Sequence, residues 1–303
     1  MNDPKPSRRR FIQSSAVLTG AAILTPFALP VVKGQPVKRT ATDQVVLNKT
    51  GIKLSRVGFG TGANNGVDQL AGGKDYFIKV IRHAYDQGVT YFDCAEQYQT
   101  FGTMGEAIKG LPREKLFIQS KIWPRAGQNI TSVIDSHRKN FNSDYIDSLL
   151  IHCRTDANWT DQHKVMMDAY DQAKSKQWIR AKGVSCHSYP ALKLASKSDW
   201  VDVNLVRINP QGKYMDGNAS EWGDQYTNAV QPILDQVKLM HDAGHGVIGM
   251  KIIGNGLFKE PAEREASMRL AMSTSSIDAI VIGMKSIQEV DENLAMVNRV
   301  LAA

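Results

Sequence analysis

An α/β chain folded as a (β/α)₈ TIM barrel, with an N-terminal β-hairpin, is the fold class this sequence predicts. Three observations predict it. Short apolar segments alternate with amphipathic ones from residue 57 to residue 301. The short segments number eight, the strand count of such a barrel. The glycine-rich turn expected of a doubly wound dinucleotide fold is incomplete, because Gly58-Phe59-Gly60-Thr61-Gly62 gives GxGxG leading into a loop.

The elements follow in order. Val45 to Leu47 and Ile52 to Ser55 flank a turn-like Asn48-Lys49-Thr50-Gly51 and read as the hairpin. The eight strands are predicted at Val57–Gly60, Thr90–Asp93, Leu116–Ser120, Ser148–His152, Ala181–Ser185, Val201–Ile208, Gly246–Met250 and Ala279–Gly283. Apolar residues recur at helical spacing in 76–86, where Phe77, Val80, Ile81 and Ala84 form one stripe. The stretches 130–141, 162–176, 230–243, 262–272 and 288–301 behave similarly. No low-complexity linker or repeat divides 41–303, so that range is expected to be one domain, preceded by a separate segment, 1–40.

Composition and charge narrow the function classes. Hydrophobic residues make up 42% and charged residues 22%, enough to build a core and too apolar for a disordered chain. The net charge of +7 suggests a polyanion partner only until it is located. Seven cations and one acid fall within residues 1–40, which leaves the remainder at +1. No nucleic-acid footprint is therefore expected of the body. The first segment instead reads as an address. Ser7-Arg8-Arg9-Arg10-Phe11-Ile12-Gln13 precedes an apolar run from Ala16 to Val32, and the pair of arginines resembles a bacterial twin-arginine signal peptide. That implies the twin-arginine export machinery as a partner and a periplasmic destination. Pro26 and Pro30 interrupt the run, so no stable span is expected in the mature chain; a tether persists only if the signal stays uncleaved, and Val32-x-Gly34 is the cleavage candidate.

Polar residues at strand ends carry the chemistry. Asp93 closes the second barrel strand, Lys121 the third and His152 the fourth, with Tyr98 in the loop after Asp93. In a barrel of this kind such positions meet at one mouth. An ammonium beside a phenol lowers the phenol's pKa, and an aspartate keeps that ammonium charged and oriented. The tyrosine then serves as a general acid, and the histidine orients the substrate oxygen. This suits protonation of an alkoxide as hydride reaches a carbonyl carbon. There is no HExxH, no CxxC and no recognisable Ser-His-Asp set, and no metal site is expected. Cys94, Cys153 and Cys186 each follow a strand end; small-residue packing is their expected role, with one bridge or a redox site left open.

These residues together resemble the aldo-keto reductase superfamily, over essentially all of 45–303. Thr50-Gly51-Ile52-Lys53-Leu54 leading to Gly58-Phe59-Gly60-Thr61-Gly62 looks like its opening. Tyr91-Phe92-Asp93 with Tyr98 matches its Asp/Tyr motif, and Ser120-Lys121-Ile122-Trp123 and Leu150-Ile151-His152 match the other two tetrad positions. The resemblance implies NADP or NAD held at the barrel mouth, and a small carbonyl or alcohol substrate. It implies cofactor contacts from Gly60, Thr61, Gly62 and Ser185, from Met250, Lys251 and Gly254, and from Gly283, Lys285, Ser286, Glu289, Glu292 and Asn293. Several of these depart from the family's pattern. Cys186 stands for the usual Asn, Leu205 for the Gln that binds the carboxamide, and Met250 for the tyrosine that stacks on nicotinamide. NADP is the family's habit, whereas the Glu289 carboxylate suits ribose hydroxyls and leaves NAD open. Trp123, Tyr214 and Trp222 are the expected exposed aromatic wall of the substrate site, the last two in a loop, 211–226, that reads as a lid or a structural loop. Two other readings stay open: a dinucleotide-binding barrel with little turnover and a regulatory role, and a cofactor-independent isomerase or lyase using Lys121 and His152.

Overall fold

The computed structural model describes residues 39–216 and 229–303. Residues 1–38, which hold the expected export signal, Trp222 and most of the 211–226 loop lie outside the described residues.

The hairpin pairs β1 (Gln44–Val46) with β2 (Lys53–Ser55) in antiparallel register, Val45 opposite Leu54. Its turn is a short 3₁₀ segment, Asn48–Thr50, capped by Gly51 at φ 68°. The barrel strands are β3 (Val57–Gly60), β4 (Tyr91–Asp93), β5 (Phe117–Ile122), β6 (Ile146–Arg154), β7 (Ile179–Cys186), β8 (Val203–Arg207), β9 (Gly246–Met250) and β10 (Ala279–Gly283). All pair in parallel, and β10 closes on β3, with Gly283 opposite Gly60. Between them run α1 (Lys74–Asp86), α2 (Phe101–Ala107), α3 (Ile130–Asn140), α4 (Lys164–Ser175), α5 (Tyr189–Ala195), α6 (Val230–Ala243), α7 (Pro261–Ser273) and α8 (Ile287–Ala302). The sequence reading thus holds for every barrel strand and for six helices. It missed α2, which has two glycines in under two turns, and α5, although Ser188 caps α5 and Pro190 sits in its first turn.

Period-two alternation sorts the strand residues into two layers. Side chains facing the helices join one core, to which α1 contributes Phe77, Val80, Ile81 and Ala84, the stripe read from the sequence. The inward residues, among them Tyr91, Phe117, Leu150, Leu205 and Ile248, form a separate core inside the barrel. Leu47, Ile52 and Leu54 of the hairpin belong to that inner core. Leu47 is fully buried and lies over the start of β9: a Cβ on Gly246 would come within 2.3 Å of its side chain. The hairpin therefore plugs the N-terminal mouth, and chemistry is left to the C-terminal one.

Candidate active site

Three successive strands deliver three of the four predicted residues. Asp93, Lys121 and His152 are all inward-facing at the C-terminal ends of β4, β5 and β6, and all are buried. Lys121 Nζ donates to Asp93 Oδ1 at 2.7 Å and Oδ2 at 2.8 Å, and to the Cys94 carbonyl at 2.7 Å. All three ammonium protons are thereby directed, and the lysine cannot rotate away. Gln119 secures the other side of the aspartate, donating at 2.9 Å to Asp93 Oδ1 while accepting from Ser148 Oγ at 3.1 Å. Burial would lower the Lys121 pKa, but Asp93 and then Tyr98 outweigh it and hold it above its ordinary value.

Tyr98 lies on the far side of this pair. The Lys121 ammonium is 5.1 Å from its ring centre. The ring approaches the barrel rim closely because Gly62 has no side chain: a Cβ there would come within 2.3 Å of Tyr98 Cζ. The sequence expectation of a lowered tyrosine pKa is corrected in sign. Lys121 pulls it down, but burial dominates and pushes it up to about 12. Tyr98 is consequently a neutral phenol through the physiological range, with its proton in place.

His152 is also neutral, its pKa driven well down by burial and then by Lys121 and Arg154. Its ring meets Tyr98 edge-on at 5.7 Å and Trp123 at 5.8 Å. Its Nδ1 lies 2.8 Å from Gln97 Oε1. With the amide oxygen facing it, Nδ1 donates and Nε2 is the free acceptor. Gln97 is one residue before Tyr98, so a single loop carries the tyrosine and orients the histidine.

The remaining predicted residues divide. Gly60, Gly62 and Gly283 are closely packed by neighbours: a Cβ would come within 3.2 Å of Val281, 2.3 Å of Tyr98 and 3.3 Å of Ala63 respectively. Ser185 faces inward on β7, and its buried hydroxyl finds no hydrogen-bond partner among the described residues. An orphaned hydroxyl there fits a ligand amide, since a buried polar group without a partner costs free energy. Met250 ends β9 opposite Arg207 and belongs with Leu205 to the inner core. Thr61, predicted to touch cofactor, is instead fully buried, with its hydroxyl on the Asp93 carbonyl at 3.0 Å; it clamps the end of β4. Lys251 sits at φ 60° and donates to Asn255 Oδ1 at 2.8 Å, within a turn that includes Gly254 at φ 56°.

The last motif folds on itself. Ser286 caps α8, accepting from the Glu289 N–H at 3.1 Å. Glu289 turns back to accept from the Lys285 N–H at 2.9 Å, and its other oxygen is 3.9 Å from Lys285 Nζ. Its carboxylate thus occupies the helix N-terminus, where an added anion would meet repulsion. Glu292 accepts from Gln288 on the surface, and Asn293 is buried with its amide on the Glu289 carbonyl. Trp123 borders His152 as expected, but Tyr214 is buried at φ 56° rather than exposed.

Sequence reasoning missed Gln97, Gln119, Arg154, His187 and Arg207. A signal existed for some: Gln119 lies two residues before Lys121 and Arg207 two after Leu205, hence on the same inward face. The three cysteines are free thiols, all buried.

Comparison with known proteins agrees with this fold. The chain is 30% identical to the methylglyoxal reductase YeaE of Escherichia coli over 106 residues, 33% of this chain and 37% of that one. It is 33% identical to an NADP(+)-dependent glycerol 2-dehydrogenase of Hypocrea jecorina over 201 residues, 56% of this chain and 61% of that one. The match therefore spans between about a third and three fifths of these relatives. An aldo-keto reductase from Klebsiella pneumoniae, solved with NADPH, superposes with a TM-score of 0.63 at 18% identity, covering 84% of this chain and 89% of that one, a likeness of fold. The aldo/keto reductase family model matches residues 56–278, and on that match the chain belongs to the aldo/keto reductase family.

Proposed function

We propose that this protein interconverts a small carbonyl compound and its alcohol with a nicotinamide dinucleotide. The single observation that carries this reading is the convergence of Asp93, Lys121, Tyr98 and His152 on one mouth. A bound reduced dinucleotide would supply hydride to the carbonyl carbon. The chain's own residues do the rest. Ser185 would meet the carboxamide, and the backbones of Gly60, Gly62, Gly254 and Gly283 would border the dinucleotide. Trp123 and His152 hold the substrate, with His152 Nε2 available to its oxygen or to Tyr98. The Tyr98 hydroxyl gives its proton to the developing alkoxide. Lys121, kept charged by Asp93, stabilises the phenolate that results.

The relatives' names support NADP, as does the NADPH of the Klebsiella structure. The Glu289 carboxylate at the head of α8 argues for NAD, and the two are separated by measuring both. We further propose that residues 1–40 direct export by the twin-arginine route, as Arg8-Arg9-Arg10-Phe11 suggests, and that residues 41–303 travel as a folded domain with dinucleotide bound. The test is dinucleotide oxidation by the purified chain over a panel of aldehydes and sugars, with Tyr98→Phe beside it. Removal of the acid should cost ~10²–10⁴ in kcat. Equal rates for the two proteins would refute the enzymatic reading and favour the binding barrel.

A further inference from the structure

The loop after β4 reaches further than the tetrad. Its backbone ties down Tyr98 without help from the side chain before last. The Tyr98 N–H donates to the Ala95 carbonyl at 3.1 Å, the Gln99 N–H to the Asn65 carbonyl at 3.0 Å and the Phe101 N–H to the Tyr98 carbonyl at 2.9 Å. The Thr100 hydroxyl adds a bond to the Thr61 carbonyl at 2.9 Å. None of these uses the carboxylate of Glu96. The Glu96 N–H donates to the Lys121 carbonyl at 3.2 Å, which brings its side chain beside the end of β5.

Trp123 is where that side chain acts. It is the first residue beyond β5, whose last ladder pair with β6 is Ile122 opposite Ile151. Pro124 follows, which has no N–H and biases Trp123 to extended backbone. The Trp123 N–H therefore finds its acceptor outside the ladder, at Glu96 Oε1, 3.0 Å away. The same oxygen accepts from Arg125 Nη1 at 3.1 Å, a half-exposed pair that adds little. Glu96 Oε2 faces buried His137 of α3 at 4.0 Å. Burial would raise the Glu96 pKa, but His137, then the Trp123 N–H and Arg125 outweigh it and hold it below its ordinary value. Glu96 is thus a carboxylate that only accepts. The Arg154 guanidinium, 5.5 Å from the Trp123 ring centre, steadies the indole from β6, and Glu96 holds its backbone from the β4 loop.

We propose that Glu96 is a positioning residue for substrate specificity: it anchors the Trp123 backbone, fixes the indole beside His152, and so favours aldehydes broad enough to rest on that ring. The inference rests on the carbonyl-reducing reading above and names a residue that tunes its substrate choice. A wall freed from its anchor must be ordered when substrate binds, and that cost falls on KM. A small aldehyde, held at its carbonyl by the tetrad, does not draw on the wall.

The test uses the full chain with benzaldehyde and acetaldehyde at saturating dinucleotide. Glu96→Met keeps the side-chain length and removes the acceptor, whereas Glu96→Gln keeps an acceptor oxygen. Glu96→Met should raise KM for benzaldehyde about tenfold, the scale of one hydrogen bond to a charged group, with kcat and the acetaldehyde KM within about twofold of wild type. Glu96→Gln should restore the benzaldehyde KM. On a Trp123→Ala background, which has no wall to position, Glu96→Met should add almost nothing. Deuterium exchange of the Trp123 N–H, followed by NMR in protein carrying nitrogen-labelled tryptophan, reads the contact without turnover: Glu96→Met should speed it about tenfold and Glu96→Gln should not. If Glu96→Met fails to fold, Glu96→Ala carries both measurements. An unmoved benzaldehyde KM, equal losses for the two aldehydes, or a loss in kcat alone overturns the specificity role while the reductase reading stands. Unchanged exchange in Glu96→Met overturns the anchor itself. Turnover of neither aldehyde by the wild-type chain overturns the reductase reading and the specificity role with it, and the exchange rates then decide the anchor alone.

Discussion

Replacing Gly62 with alanine tests the site through one methyl group. Gly62 has φ −111° and ψ 16°, a conformation alanine also adopts, so the backbone resists nothing. The obstacle is Tyr98. The new Cβ would lie 2.3 Å from Cζ, 2.4 Å from Cε2 and 2.8 Å from the hydroxyl oxygen. Carbon atoms rest at roughly 3.5–4.0 Å, so the phenol must retreat by more than about 1 Å. A displacement of that size at a reacting group costs on the order of 10²-fold in rate. Steady-state kinetics on one aldehyde measures this, and thermal unfolding shows whether the fold has absorbed the strain instead. Placed on a Tyr98→Phe background, which already lacks the acid, the alanine should cost little more; the two changes should be strongly non-additive. Full activity in Gly62→Ala, with an unchanged melting temperature, would refute the claim that the tyrosine works from this position.

Three further outcomes are expected. Glu289→Gln keeps the cap on α8 but removes the charge at its N-terminus, so the NADPH-to-NADH ratio of kcat/KM should rise roughly fivefold, a ~1 kcal/mol surface effect; an unchanged ratio would leave Glu289 as a helix cap alone. Leu47→Ala empties the plug at the N-terminal mouth and should cost ~2–5 kcal/mol in urea unfolding with turnover retained, whereas a loss below about 1 kcal/mol would show that the hairpin does not fill the barrel. Asp278, beside Val247, has a pKa raised to about 6 by burial, against the Val247 N–H and His241. A carboxyl raised above its unfolded value favours the protonated fold, so its contribution is present in acid and is lost as pH rises through about 6. Asp278→Asn should therefore recover up to about 3 kcal/mol at pH 8 relative to pH 4 when compared with wild type, and parallel pH profiles for the two proteins would count against it.

Much of this protein is legible in one dimension because two periodicities do the specifying. The helical stripe of Phe77, Val80, Ile81 and Ala84 and the bounds of β3, β9 and β10 need only local pattern and turn chemistry. Three of the four residues of the proposed acid–base centre were legible for a related reason: a strand end in a parallel barrel is a fixed address, so Asp93, Lys121 and His152 must share a mouth. What only the tertiary structure decided depends on distance in space and on exclusion of water. No pattern in the chain reveals that Lys121 spends all three protons on Asp93 and Cys94, or that Gln97 faces His152 from 55 residues away. The direction of the Tyr98 pKa also came from packing, because desolvation competes with the nearby ammonium and neither is readable from residue type. Closure of the barrel also buried Arg154 and Arg207 beside His152 and His187, a proximity that strand ends alone do not announce.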